Sequence, residues 1–198
     1  MGTPKAELDW HGTSLVQRTV NVLATVCDEV LVVAAPGQDL TADGARIVRD
    51  RVQDRGPLQA LSAGLDGALE LGAAKAFVCA TDMPMLHPAF VSRMLGALTE
   101  GVDVALPVDE RHEHPLAAAY ATSLAPVVVE LLDSGELRLR ELLRHCRVRR
   151  LSRAELLADD ALAEADPELD SLVNVNTPQQ LAQARGRTGQ SPSRSFLD

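Results

Sequence analysis

Asp82 closes the run Phe77-Val78-Cys79-Ala80-Thr81 and is followed by Met83-Pro84. A carboxylate at the carboxyl end of a buried strand stands where ligands bind in open α/β sheets, which is where a metal-binding aspartate belongs. The same residue type also caps helices and forms turns, and Pro84 reads as a helix-starting proline behind it. Asn174 and Asn176 alternate on one side of an extended segment, where they serve either a ligand or as caps of a helix opening at Pro178. His112 and His114 share a face if their segment is extended, but no third or fourth metal ligand is apparent. His114, just before Pro115, therefore reads as a structural or substrate-contacting residue. Cys27, Cys79 and Cys146 are odd in number and lack metal-ligand spacing, so they read as reduced structural thiols.

The elements that must position these residues alternate between helix and strand. Leu15, Val16, Val20, Leu23, Val26 and Cys27 recur at helical spacing behind the cap residues Thr13 and Ser14. Val30 to Ala35 is a continuous apolar run stopped by Pro36-Gly37, as expected of a buried parallel strand. Arg46 to Arg49 is a short strand, Leu58 to Leu71 a helix, Lys75 to Ala80 a strand and His87 to Thr99 a helix. Strands follow at Val102 to Val108, Leu116 to Ala121 and Val148 to Leu151, with helices at Leu124 to Leu132 and Leu137 to His145. Such alternation implies an α/β fold, a mostly parallel sheet covered by helices on both faces. The stretch from Asp109 to beyond Leu116 predicts an antiparallel portion.

A chain of 198 residues that is 46% hydrophobic and 24% charged supports one domain. Its apolar runs are too short and too broken for a membrane span, and the first residues lack the apolar core of a secretory signal, so a cytoplasmic protein is expected. The formal charge of −9 is concentrated: Glu155, Asp159, Asp160, Glu164, Asp166, Glu168 and Asp170 fall in one stretch without Lys or Arg. That stretch reads as a solvated helix and loop. The arginines from Arg138 to Arg150 are interrupted by Glu141, with Glu136 just ahead of them, and read as a solvated face or a site for a polyanionic small molecule, so neither a nucleic-acid nor a membrane partner is expected. From Gly186 to Asp198, Gly, Ser, Pro and Arg replace the apolar pattern and a disordered tail is expected behind a 1–185 domain.

Taken together, Met1-Gly2-Thr3-Pro4-Lys5, Gly56-Pro57-Leu58, Cys79-Ala80-Thr81-Asp82-Met83-Pro84, His114-Pro115-Leu116 and Val173-Asn174-Val175-Asn176-Thr177-Pro178 resemble, in order and spacing, the MobA-like nucleotidyltransferases. The branch they most resemble is the molybdenum cofactor guanylyltransferases. The resemblance implies a three-layer Rossmann-like nucleotidyltransferase fold. It also implies transfer of GMP from GTP to a molybdopterin-type substrate with release of pyrophosphate, and a molybdoenzyme or cofactor-handover partner. Asp82 would bind Mg2+ and take part in catalysis; Lys5 would contact the nucleotide phosphates. Asp50 and Gly56 would lie against the nucleotide, and Asn174, Asn176 and His114 against the acceptor. Read singly, Lys5 is a solvated lysine, Asp50 a turn or cap residue, and Gly56-Pro57 a helix-entry turn. The family's first strand and glycine-rich phosphate loop have no counterpart ahead of Met1-Gly2. A natural protein longer by on the order of 20 residues is the expectation. A related enzyme using CTP or another phosphate acceptor, and a non-catalytic binding protein descended from such an enzyme, are the alternatives.

Overall fold

The computed structural model describes residues 5–50 and 56–188. A short 3₁₀ turn, Lys5–Glu7, leads into a hairpin of β1 (Asp9–Trp10) and β2 (Thr13–Ser14). Its two-residue turn places His11 at φ 50° and Gly12 at φ 88°, the left-handed pair that a tight antiparallel turn requires. Ser14 then caps α1 (Leu15–Leu23), accepting from the Gln17 N–H at 3.2 Å. The helix ends four residues earlier than its apolar periodicity suggests, and Val26 and Cys27 pack on the core from the turn that follows.

The central sheet forms in two pieces. β3 (Leu31–Ala34) pairs in parallel with β4 (Arg46–Arg49). Next, α2 (Gly56–Glu70) crosses to β5 (Lys75–Cys79), and α3 (Pro88–Ala97) leads to β6 (Val104–Pro107). β7 (Ala117–Ala121) lies antiparallel between β5 and β6, and α4 (Ala125–Asp133) follows it. The short α5 (Leu139–Leu142) precedes β8 (Val148–Leu151), which pairs in parallel with β6. The second piece thus has the order β5-β7-β6-β8. A mostly parallel fold with an antiparallel portion is what the sequence predicts, and β7 is that portion.

One apolar layer, formed with α1 and α3, includes Val16, Val20, Phe90, Val91 and Met94. The opposite layer, formed with α2 and α4, includes Leu58, Leu61, Leu65 and Val128, with Tyr120 fully buried among them. The α2 helix comes close to its strands because Gly67 presents no side chain: an added Cβ would lie 3.0 Å from Leu31 Cδ1. Gly64 lies against Val33 and Gly67 against Leu31, so α2 runs opposite to β3. The brief turn at 71–74 then returns the chain into β5, which runs in the same sense as β3.

Three expectations change. Pro84 does not start a helix: the chain turns at Met83 to Leu86, and α3 begins at Pro88, capped by His87 Nδ1 accepting from the Ala89 N–H at 3.2 Å. The expected 137–145 helix shortens to α5, because Glu136 accepts from the Leu137 and Arg138 N–H groups and holds that approach as a turn. The acidic stretch is not merely solvated. It folds as α6 (Arg153–Leu156) and α7 (Asp160–Ala165), buries Leu156, Leu162 and Leu169, and encloses Asp166, which accepts from the Asp170 and Ser171 N–H groups at 2.7 and 3.0 Å. α8 (Pro178–Thr188) includes Gly186 and Arg187, and the rest of the expected tail lies outside the described residues. Among the described residues, no helix is long and apolar enough to cross a membrane.

Candidate active site

β5 delivers Asp82. Its pairing with β7 continues as the Ala80 N–H donates to the Leu116 carbonyl at 3.1 Å, and Asp82 follows two residues later, half-buried, with Oδ1 closed off from solvent. Behind it, Met83, Pro84, Met85 and Leu86 are all buried, which fixes the direction of the chain leaving the carboxylate. The Asp82 carbonyl accepts from the Val175 N–H at 2.8 Å. One backbone bond therefore brings the Asn174-Val175-Asn176 segment to Asp82.

That segment is held by an apolar cluster of Trp10, Leu15, Met85, Val175, Leu181 and Ala184. The cluster joins the N-terminal hairpin, the loop behind Asp82 and the last helix. Arg185 reinforces it by donating to the Asp9 carboxylate at 3.0 Å and to the Asp9 carbonyl. α8 is capped by Thr177, whose Oγ1 accepts from the Gln180 N–H at 3.1 Å, while Gln180 Oε1 accepts from the Asn176 and Thr177 N–H groups. Capping thus falls to Thr177 and Gln180, and Asn174 and Asn176 stand exposed beside Asp82. Lys5 opens the turn that runs into the same hairpin, with Ala6 buried in the core; the Lys5 side chain lies outside the described part.

His114 reaches the same end of the sheet, because it lies three residues ahead of β7, whose first residue pairs with Cys79. Its Nε2 meets Asp109 Oδ2 at 2.8 Å. The other oxygen of Asp109 accepts from the Arg111 and His112 N–H groups at 2.7 and 2.8 Å. These amides and His114 hold the Asp109 carboxyl well below the usual carboxylate range. His112 is 70% exposed, and no group of three or more metal-ligating side chains occurs among the described residues. His114 is turned to Asp109.

Asp50 and Gly56 belong to the other half of the sheet. The Asp50 N–H donates to the Ala34 carbonyl at 2.9 Å, ending β4 against β3. Gly56 begins α2 at φ 72°, where an added Cβ would approach the Leu137 carbonyl to 3.2 Å. Between this half and the β5 half lies a cavity of about 950 Å³, lined from both by Val32, Val33, Phe77 and Val78. The arginine patch is largely neutralised: Arg138, Arg144, Arg147 and Arg150 pair with Glu136, Glu141, Asp103 and Glu113. Trp10, Asp109 and the Val175 N–H are the parts of the site that the sequence reading passed over. The signals were present in the chain's single tryptophan and in the Asp109-x4-His114 spacing.

A MobA-like NTP transferase domain matches residues 1–153. The chain belongs to that family. Residues 1–153 include Lys5, Asp50, Gly56, Asp82 and His114 but stop short of the two asparagines. The asparagine segment is covered by longer similarity to a Mycobacterium avium protein named "Probable molybdenum cofactor guanylyltransferase", 40% identical over 191 residues, 93% of this chain and 90% of that protein. A Mycobacterium tuberculosis protein of the same name is 37% identical over 180 residues, 89% of this chain and 83% of that protein. Among solved structures, molybdopterin-guanine dinucleotide biosynthesis protein A from Archaeoglobus fulgidus superposes with a TM-score of 0.74 at 21% identity, covering 96% of this chain and 93% of that one. The 2-C-methyl-D-erythritol 4-phosphate cytidylyltransferase of Thermus thermophilus gives 0.65 at 18% identity, covering 95% of each chain. At those identities the two structures speak for the fold, a Rossmann-like nucleotidyltransferase, and the MobA-like chain is an enzyme of that class.

Proposed function

We propose that this chain transfers GMP from GTP to a molybdopterin-type cofactor and releases pyrophosphate. The observation that carries this reading is the bond from Val175 to Asp82, which places two exposed amide side chains beside a carboxylate at the carboxyl end of a sheet strand. A phosphate oxygen of the acceptor attacks the α-phosphorus of GTP. The new P–O bond forms as the bond to the β-phosphate breaks, and the electron pair leaves with pyrophosphate. Such a transfer needs alignment and charge neutralisation rather than a protein nucleophile.

Asp82 is the residue that would hold Mg2+. A single hard carboxylate suits an ion that keeps several waters and completes its shell from substrate phosphates. When bound, Mg2+ supplies neutralisation of the negative charge spread over the triphosphate. Lys5 would add a mobile point charge on the phosphates. The amides of Asn174 and Asn176 offer both donors and acceptors, which matches the polar edge of a pterin. His114, oriented through Nε2 by Asp109, keeps its Nδ1 for the acceptor side. Asp50 and the backbone at Gly56 would lie on the nucleotide side. The reading places the enzyme in the cytoplasm, with its three thiols reduced, and calls for a molybdoenzyme or a handover protein to receive the product.

The test is a panel of GTP, CTP and ATP offered with Mg2+ and molybdopterin cofactor, with products identified by mass. A GMP adduct formed from GTP alone is the expected product. A CMP adduct at equal or greater yield would replace the guanylyl reading with a cytidylyl one.

A further inference from the structure

Ser171 ties the asparagine segment to the far end of the loop behind Asp82. Its Oγ accepts from the His87 N–H at 2.9 Å, while the Val175 N–H donates to the Asp82 carbonyl at 2.8 Å. With Ser171 opposite His87 and Val175 opposite Asp82, residues 171–175 lie antiparallel along residues 82–87 and are pinned at both ends. Between the pins, Val173 and Val175 pack into the cluster that holds Met85. Asn174 is the exposed residue between those two valines. One pin alone would leave the segment free to pivot; two pins and the packing between them fix where its side chains stand.

The Ser171 pin depends in turn on a buried carboxylate. Asp166 is 6% exposed, and its two oxygens accept from the Asp170 and Ser171 N–H groups. The Leu169 N–H donates to the Asp166 carbonyl at 3.0 Å, and Leu169 takes a left-handed φ of 54° with its side chain buried in the core. Arg187 ties the same turn to α8 by donating to the Asp170 carboxylate at 2.8 Å. Both Asp166 oxygens are thus engaged by the backbone of one turn, and Ser171 is wholly buried, so neither side chain is placed to touch a substrate. We infer that Asp166 and Ser171 are positioning residues of the active site, which hold Asn174 and Asn176 in place beside Asp82. The consequence for substrate rests on the acceptor reading given above; the coupling of the two pins does not. A displacement of about 1 Å in such a group costs up to about a hundredfold in rate, which is what a doubly pinned segment guards against.

Ser171→Ala removes the hydroxyl that His87 needs and keeps the backbone N–H that Asp166 holds. Amide exchange is first followed in the 198-residue chain with neither nucleotide nor acceptor present. It is expected to speed up by about tenfold or more at His87, which loses its partner, and also at Val175, whose own acceptor is untouched, while residues 104–106 of β6 keep wild-type rates. Asp166→Asn puts an NH2 group where one accepting oxygen stood and should add Asp170 and Ser171 to the faster set. If that variant does not fold, Ser171→Ala carries the test alone. In turnover, Ser171→Ala should raise KM for molybdopterin severalfold and leave KM for GTP within about twofold. A merely structural role would lower the amount of folded enzyme, and hence kcat, with the acceptor KM unmoved. That result, or unchanged exchange at Val175, would overturn the inference. A wild-type chain inert toward GTP and molybdopterin would count against the guanylyl reading, and the Val175 exchange would still decide whether the pins are coupled.

Discussion

The Val175 N–H donates to the Asp82 carbonyl across 2.8 Å, and this bond joins residues 93 positions apart in the chain. On one side of it is the end of a sheet strand; on the other is a segment steadied by Trp10 and the final helix. The chemistry proposed for the two sides depends on their staying together. Because the bond is between backbones, either side chain can be altered without breaking it.

Replacing Asp82 by Asn should therefore leave the fold intact and remove metal-dependent turnover. Loss of one charge-stabilising group at such a site lowers kcat by roughly 10²–10³-fold. Pyrophosphate release across a Mg2+ titration, with circular dichroism as the control, measures it. Unchanged turnover would remove Asp82 from the chemistry.

Asn174 and Asn176 should separate from Thr177 in their effects. Thr177→Ala removes the cap of α8 and should cost about 1 kcal/mol of stability. Asn174→Ala and Asn176→Ala should raise KM for the acceptor and shift the urea midpoint less than Thr177→Ala, because the cap of α8 is made by the Thr177 and Gln180 side chains. Equal destabilisation by all three variants would return the asparagines to a structural role.

Trp10 holds the hairpin, the Met85 loop and α8 together and is only 4% exposed. Trp10→Ala should destabilise the protein by about 3–5 kcal/mol, the usual range for removing a large buried aromatic side chain. Chemical denaturation gives the value, and a loss below about 1 kcal/mol would mean that the cluster does not support the site.

Asp103 ties the start of β6 to β8, accepting from the Arg147 N–H, Nε and Nη2 at 2.8, 3.0 and 2.8 Å. The guanidinium hydrogen bonds hold its carboxyl below the ordinary value, against a smaller opposing effect of burial. A lowered folded-state pKa means that the stabilisation is complete above the unfolded value of about 3.9 and is lost as pH falls through the folded one. Thermal midpoints between pH 6 and pH 2 should show this loss, and Asp103→Asn should flatten that part of the curve.

The sequence carried much of the fold because apolar periodicity is a local signal. Val30 to Ala35 and Lys75 to Ala80 read as strands, and both are strands within a residue or two at each end. Ser14 read as a cap residue and is the cap of α1. What the local pattern misjudged depends on distant partners. The acidic run reads as solvated until Leu156, Leu162 and Leu169 find the core. Pro84 reads as a helix start, but the chain turns at Met83–Leu86 there, and the helix begins where the His87 signal placed it. The grouping of Asp82 with Asn174 and Asn176 came from motif order; the bond that achieves it leaves no trace in composition or period. The Asp109 to His114 contact was missed because the carboxylate is exposed and its residue type suits a turn equally well.

The most direct test of the central claim is Mg2+-dependent formation of a guanine dinucleotide product from GTP and molybdopterin, comparing the wild-type chain with Asp82→Asn. The account predicts product and stoichiometric pyrophosphate from the wild type, and at least about a hundredfold less from the variant. Product formation that is indifferent to Asp82, or absent from the wild type while CTP is turned over, would contradict it.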